Sequence, residues 1–93
     1  MKISFAVTTH DENELVRRLL TQLQEFIEEY ETDDEIVIVD DYSTEETDRI
    51  LEEFTSFEFI SVHPHALERN FSAQKNYLNS LCTGDYIFQI DAD

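Results

Sequence analysis

The sequence predicts one α/β domain, a three-layer sandwich in which a four-stranded, Rossmann-like parallel sheet carries helices on both faces. Three observations predict it. Short β-branched and aromatic runs alternate with stretches of helical apolar spacing, giving strand–helix three times and then a strand. One run, Glu35-Ile36-Val37-Ile38-Val39-Asp40, holds four consecutive β-branched residues without alternation, as expected of a strand buried on both faces. The chain has 93 residues with one Gly and one Pro, so it has few places to break and room for a single domain over residues 1–93.

Each element has its own warrant. Ile3-Ser4-Phe5-Ala6-Val7 reads as the first strand, ending near Thr8. Asp11 with Glu14 three residues later is a capping-box signal. Leu15, Leu19, Leu20, Leu23, Phe26, Ile27 and Tyr30 then make an apolar stripe on a long helix. Thr32-Asp33-Asp34 is a turn before the second strand. Ser43 with Glu46 offers a second capping box, and Thr47, Ile50, Leu51 and Phe54 mark a second helix. Residues 57–62 read as the third strand, which Pro64 ends because it cannot donate to a ladder. Phe71, Gln74, Leu78, Leu81 and Cys82 trace a third helix, with Gly84 expected in the left-handed C′ conformation. Residues 85–90 are the fourth strand, followed by Asp91-Ala92-Asp93.

Charge narrows the partners. Six basic residues against 22 acidic ones give −16, and residues 25–58 hold fifteen carboxylates and one basic residue, Arg49. Such a surface repels nucleic-acid phosphates and anionic headgroups, so neither nucleic acid nor membrane insertion is expected. No apolar run approaches the roughly 20 residues needed to span a bilayer. The apolar start of the chain turns polar at residues 8–14, too soon for a signal peptide. One cysteine can close no intrachain disulfide and supply no Cys-rich zinc site. The expectation is a soluble, reduced, cytoplasmic protein.

Ligands of parallel α/β sheets bind at the carboxyl ends of the strands. Here those ends deliver Thr8, Thr9, His10 and Asp11, then Asp40, Asp41, Tyr42 and Ser43, then Asp91 and Asp93. Crowded carboxylates repel unless protonated or neutralised by a cation, and a hard divalent ion such as Mg²⁺ or Mn²⁺ suits oxygen ligands. Asp91 and Asp93, two apart, would face the same way in a regular strand. A lone Asp-x-Asp is more often a cap or turn former. His63 and His65 read as loop histidines without a third ligand, and Cys82 as a small buried hydrophobe. Lys75 suits a solvated helical lysine and a phosphate-facing one equally.

The Asp-x-Asp has company. Ile38-Val39-Asp40-Asp41-Tyr42-Ser43-Thr44-Glu45-Glu46-Thr47 resembles the "VVDDgStDgT" segment of family 2 glycosyltransferases, inverting enzymes with a GT-A type fold. Residues 5–12 resemble their opening strand and "PtyNE" turn, residues 69–77 their "fa.qkN" helix, and residues 83–93 their "GDyil.lDAD" segment. The resemblance spans essentially the whole chain. It implies a truncated GT-A fold with strand order 3-2-1-4, corresponding to the donor half that binds a nucleoside-diphosphate sugar. It also implies roles. Thr8, His10 and Asp41 would line the nucleoside pocket, and Asp40 would shape the same corner. Lys75 would face the nucleotide, Asp91 would approach ribose and metal, and Asp93 would ligate Mg²⁺ or Mn²⁺. No residue here matches the catalytic base, which the family carries in its acceptor half, so the fragment is expected to be inactive alone.

Two other readings stay open. A non-catalytic interaction module of the same fold would keep the sheet without the ligand. A receiver-like regulatory domain would need a phosphoacceptor Asp after the third strand, where Val62-His63-Pro64 stands. The apolar fourth strand, left as an unprotected edge, predicts a homodimer through that edge.

Overall fold

In the computed structural model, which describes residues 1–10, 13–41, 45–64 and 71–91, strands and helices alternate as β1 (Ile3–Thr9), α1 (Asn13–Tyr30), β2 (Glu35–Asp40), α2 (Glu45–Phe54), β3 (Ile60–Pro64), α3 (Phe71–Leu81) and β4 (Tyr86–Asp91). All pairings are parallel and the order is β3-β2-β1-β4, as expected. The steps from β1 to β2 and from β2 to β3 move one way across the sheet, and the step from β3 to β4 returns. Right-handed crossovers therefore put α1 and α2 on one face and α3 on the other.

The core follows that division. Val16, Leu20 and Ile27 of α1 and Ile50, Leu51 and Phe54 of α2 pack against Val7, Ile36, Ile38 and Ile60. Leu78 of α3 packs on Ala6, Val37 and Val39 of the opposite face, with Tyr77, Leu81 and Cys82 around it. All four residues 36–39 are buried, as their unbroken β-branched run predicts. Each such aliphatic side chain contributes about 1.5–3 kcal/mol when fully buried, so β2 is the keel of the molecule.

Several local expectations are corrected. The third strand begins at Ile60, because residues 57–59 form a tight turn in which Phe57 N–H donates to Phe54 O (3.2 Å) and Ile60 N–H to Phe57 O (3.1 Å). It also runs through Pro64, which pairs with Asp40. Pro is tolerated there because β3 is an edge strand whose outer side needs no donor. On α1, Leu15, Phe26 and Tyr30 are exposed, since the helix buries the narrower stripe of Val16, Leu20 and Ile27. Cys82 falls just past α3 and is half-buried, its thiol donating to Leu78 O. The two capping boxes rest on Asp11 and Ser43, which lie outside the described residues.

Gly84 does not take the left-handed conformation: the one positive φ among the described residues is Glu31, at 50°. Glu31 occupies the C′ position of α1, and Thr32 N–H closes a Schellman bond to Ile27 O (3.2 Å). Gly84 is required for a different reason. A Cβ there would lie 2.7 Å from Ser4 Oγ, 2.8 Å from Ser4 N and 2.9 Å from Lys2 O.

Candidate functional site

Strand pairing brings the candidates together at the C-terminal ends of β1, β2 and β4. Register sets Thr8 beside Val39 on one side and beside Asp91 on the other. Side-chain direction alternates along a strand, so Thr8 shares the α3 face with Ala6, and Asp91 shares it with Gln89, whose amide donates to Asn79 of α3 (2.8 Å). The pair is joined directly: Thr8 Oγ1 donates to Asp91 Oδ1 at 2.6 Å. That bond fixes one carboxylate oxygen and orients the other.

Asp41 arrives from β2. Its N–H donates to Thr9 O (3.0 Å), which extends the β1–β2 ladder past the last strand residue. His10 Nδ1 lies 2.7 Å from Asp41 O and 3.6 Å from Asp41 Oδ2. A carbonyl can only accept, so the hydrogen of the shorter contact sits on Nδ1. Asp41 and His10 thus form a second joined pair one strand away from Thr8 and Asp91.

Asp40 is separated from this group. It shares strand parity with Ile36 and Ile38, which point toward α1 and α2, and it is 4% exposed. Around it on that face the buried polar residues are Thr9 and Thr47, and Thr47 Oγ1 donates to Asn13 Oδ1 where the first turns of α1 and α2 meet. Adjacent aspartates are therefore placed differently: Asp41 is half-buried at the C-terminal end of the sheet, whereas Asp40 is buried on the face that α1 and α2 cover. Sequence reading missed Asn13 altogether and placed Thr47 in an apolar stripe. The signal that could have found them is two polar residues, each within the first three positions of its helix, on adjacent crossovers.

Lys75 is exposed on α3. Asn79, one turn further along the same flank, reaches Gln89. Four helical residues rise about 6 Å and two strand residues about 6.6 Å, so Lys75 stands level with Asp91 on the β4 side of the helix. Asp93 lies outside the described residues, as do residues 42–44 of the β2–α2 turn.

A divalent ion finds hard oxygen donors of the right kind in Asp91 and the hydroxyl beside it. Among the described residues, however, no group of three or more His, Cys, Asp or Glu side chains could hold a metal. A shallow depression between α2 and β3, lined by Asp48, Leu51, Glu52, Thr55 and Val62, lies away from the strand-end residues. Among the described residues, no helix is long and apolar enough to cross a membrane.

Comparison with known proteins gives two findings. The family model described as glycosyl transferase family 2 matches residues 4–93. An uncharacterized glycosyltransferase from Rickettsia felis is 30% identical over 92 residues, which is 99% of this chain and 29% of that protein. The chain thus spans less than a third of the length of this relative.

Proposed function

Since the chain belongs to glycosyl transferase family 2, we propose that residues 1–93 form its donor half, binding a nucleoside-diphosphate sugar for inverting transfer to an acceptor hydroxyl. The observation that carries this reading is the joining of Thr8 to Asp91 and of His10 to Asp41 at one end of the sheet. In it, Asp41 accepts an N–H of the base, His10 and Thr8 wall the nucleoside, and Asp91 meets the ribose. Lys75, level with Asp91, offsets diphosphate charge that a chain of −16 would otherwise repel. Asp40 shapes the corner from beneath, through the backbone it shares with Asp41.

Asp91 and Asp93 are the residues that would hold Mg²⁺ or Mn²⁺. When bound, that ion supplies positive charge for a departing diphosphate. Inversion needs a base to take the acceptor hydroxyl's proton, and this reading assigns that base and the acceptor site to polypeptide outside residues 1–93. The chain alone is then a binding domain that turns nothing over. We assign the protein to the cytoplasm, in keeping with its single cysteine.

Calorimetric titration of the chain with UDP-, GDP- and TDP-sugars in the presence of Mn²⁺ tests the reading. One of the three should bind, and Asp41→Asn should weaken it by about 10- to 100-fold, the value of a hydrogen bond to a charged group. Circular dichroism should show that variant folded. No heat from any of the three, with the wild-type chain folded, replaces this reading with that of a non-catalytic interaction module.

A further inference from the structure

Thr47 is the one polar member of the buried stripe of α2, which it shares with Ile50, Leu51 and Phe54, and it is 0% exposed. For packing alone valine has the same shape and no hydroxyl to satisfy, and a buried hydroxyl costs stability unless it is bonded. Here it is bonded, donating to Asn13 Oδ1. Asn13 is the first residue of α1 and Thr47 the third of α2, so the bond joins the starts of two helices.

Those helices follow the two strands that lead to His10 and Asp41. The chain leaves β1 after Thr9 and enters α1 at Asn13; it leaves β2 after Asp40 and enters α2 at Glu45. His10 and Asp41 therefore each lie on a short crossing from a strand end to a helix start. On the strand side the two crossings are tied by Asp41 N–H donating to Thr9 O (3.0 Å). On the helix side they are tied by Thr47 and Asn13. Between the ties, His10 Nδ1 lies 2.7 Å from Asp41 O. The strand-side tie continues the sheet ladder, whereas the helix-side tie joins two side chains and can be removed alone.

We propose that Thr47 and Asn13 are positioning residues: their bond sets the spacing of the two crossings, and through it the contact between His10 and Asp41. The consequence for a ligand rests on the donor-site reading above; the consequence for His10 does not. A segment held at both ends keeps little conformational freedom, and a binding constellation must be held within about 0.5 Å. Without the helix-side tie, the crossings are held to each other at the strand ends alone. The contact between His10 and Asp41 then loosens, and with it the nucleoside pocket.

The His10 ring reports this without a ligand, because the hydrogen stays on Nδ1 while the contact with Asp41 O holds. Nitrogen-15 NMR at a pH where the ring is neutral, with His10 assigned by its loss in His10→Gln, should show the Nδ1–H form in the wild-type chain. Thr47→Val and Asn13→Ala, each folded by circular dichroism, should let the Nε2–H form appear. Thr47→Ser keeps the hydroxyl and Asn13→Asp keeps the acceptor oxygen, so both should retain the wild-type signal. Glu53→Ala breaks a different tie between the same helices, the exposed bond from Arg17 Nη1 (2.6 Å), and should leave His10 unchanged. A wild-type signal in folded Thr47→Val or Asn13→Ala overturns the proposal, and so does an equal change in Glu53→Ala.

Calorimetry with whichever of the UDP-, GDP- or TDP-sugars binds the wild-type chain with Mn²⁺ should show Thr47→Val weaker by about tenfold, the value of one misplaced hydrogen bond, and Thr47→Ser close to wild type. Equal affinities in wild type and folded Thr47→Val overturn the role in the site. If none of the three binds the wild-type chain, the donor reading fails and the His10 signal still decides the positioning role.

Discussion

At the N-terminal end of the sheet, Glu35 Oε2 receives three donors: Ser4 Oγ at 2.6 Å, Thr83 N–H at 2.7 Å and Thr83 Oγ1 at 3.1 Å. Lys2 Nζ donates to Thr83 Oγ1 at 2.7 Å and lies 3.7 Å from Glu35 Oε1. Gly84 N–H donates to Ser4 Oγ, Lys2 N–H to Asp85 Oδ2, and Ile3 N–H to Asp34 Oδ1. At the C-terminal end, Thr8 bonds Asp91 and His10 contacts Asp41, in exposed or half-exposed surroundings. The same residue types thus serve opposite ends differently. At the base, one carboxylate collects donors from β1 and from the α3–β4 turn and ties β4 to the sheet. At the top, the Asp91 carboxylate, which accepts from Thr8, lies near solvent. Carboxylates withdrawn from water are tolerated where their hydrogen bonds are met within the protein.

If the base is structural and the top functional, substitutions at the base should cost stability. Gly84→Ala is the largest expected effect. Its Cβ would meet Ser4 and Lys2 backbone atoms inside 3.0 Å, and neither belongs to a flexible side-chain end. Relief requires moving β4 away from β1, stretching the Gly84–Ser4 bond. The expected loss is about 2–4 kcal/mol, combining overpacking with a weakened buried hydrogen bond, read from the urea midpoint. An alanine variant as stable as wild type would show that the base is not a rigid junction.

Glu35→Gln is the next. Burial alone would raise the Glu35 pKa, but the hydrogen bonds from Ser4 and Thr83, with the Lys2 ammonium, outweigh it and hold the carboxyl below its ordinary value. Folding therefore favours the ionised form. Its stabilisation is complete above the ordinary value of 4.5, shrinks as pH falls toward the lower folded value, and is gone below it. Glu35→Gln should lose about 1–2 kcal/mol at neutral pH. The gap between variant and wild type should close as pH drops through that window. A gap independent of pH would mean that the charge at the base is incidental. Burial, and after it the ionised Glu35, push the Cys82 thiol upward, which disfavours the nucleophilic thiolate.

How much of this was legible depended on the range of the signal. The fold class was legible because β2 carries four β-branched residues in a row and α2 carries Thr47, Ile50, Leu51 and Phe54 at helical spacing, all of them buried. The strand ends were where the sequence pointed, and there Thr8 meets Asp91 and His10 meets Asp41. Sidedness was less so. Asp40 and Asp41 look alike in sequence, and only the inward direction of Ile36 and Ile38 separates them. The base was not legible at all, because Ser4, Glu35, Thr83 and Gly84 are brought together by bonds between residues 31, 48 and 80 apart, and none makes a local pattern. Gly84 was singled out for the wrong reason: its position after a helix suggested backbone freedom, whereas its role is to leave room for Ser4.

The smallest predicted effect concerns the one strained φ among the described residues. Glu31, with φ of 50°, holds a conformation that glycine adopts without cost and other residues adopt at about 1–2 kcal/mol. Its helix carries Glu28 and Glu29 in the last turn, with no basic residue there, and Glu31 follows at C′, so carboxylates gather at the negative pole of the dipole. Glu31→Gly should relieve both and keep the Thr32–Ile27 bond that closes the helix. Glycine's extra freedom in the unfolded chain opposes part of the gain, leaving about 0.5–1 kcal/mol of net stabilisation in urea. Glu31→Lys separates the two contributions, since it removes the unfavourable charge and retains the strained φ. If lysine stabilises as much as glycine, the helix end is an electrostatic problem rather than a conformational one.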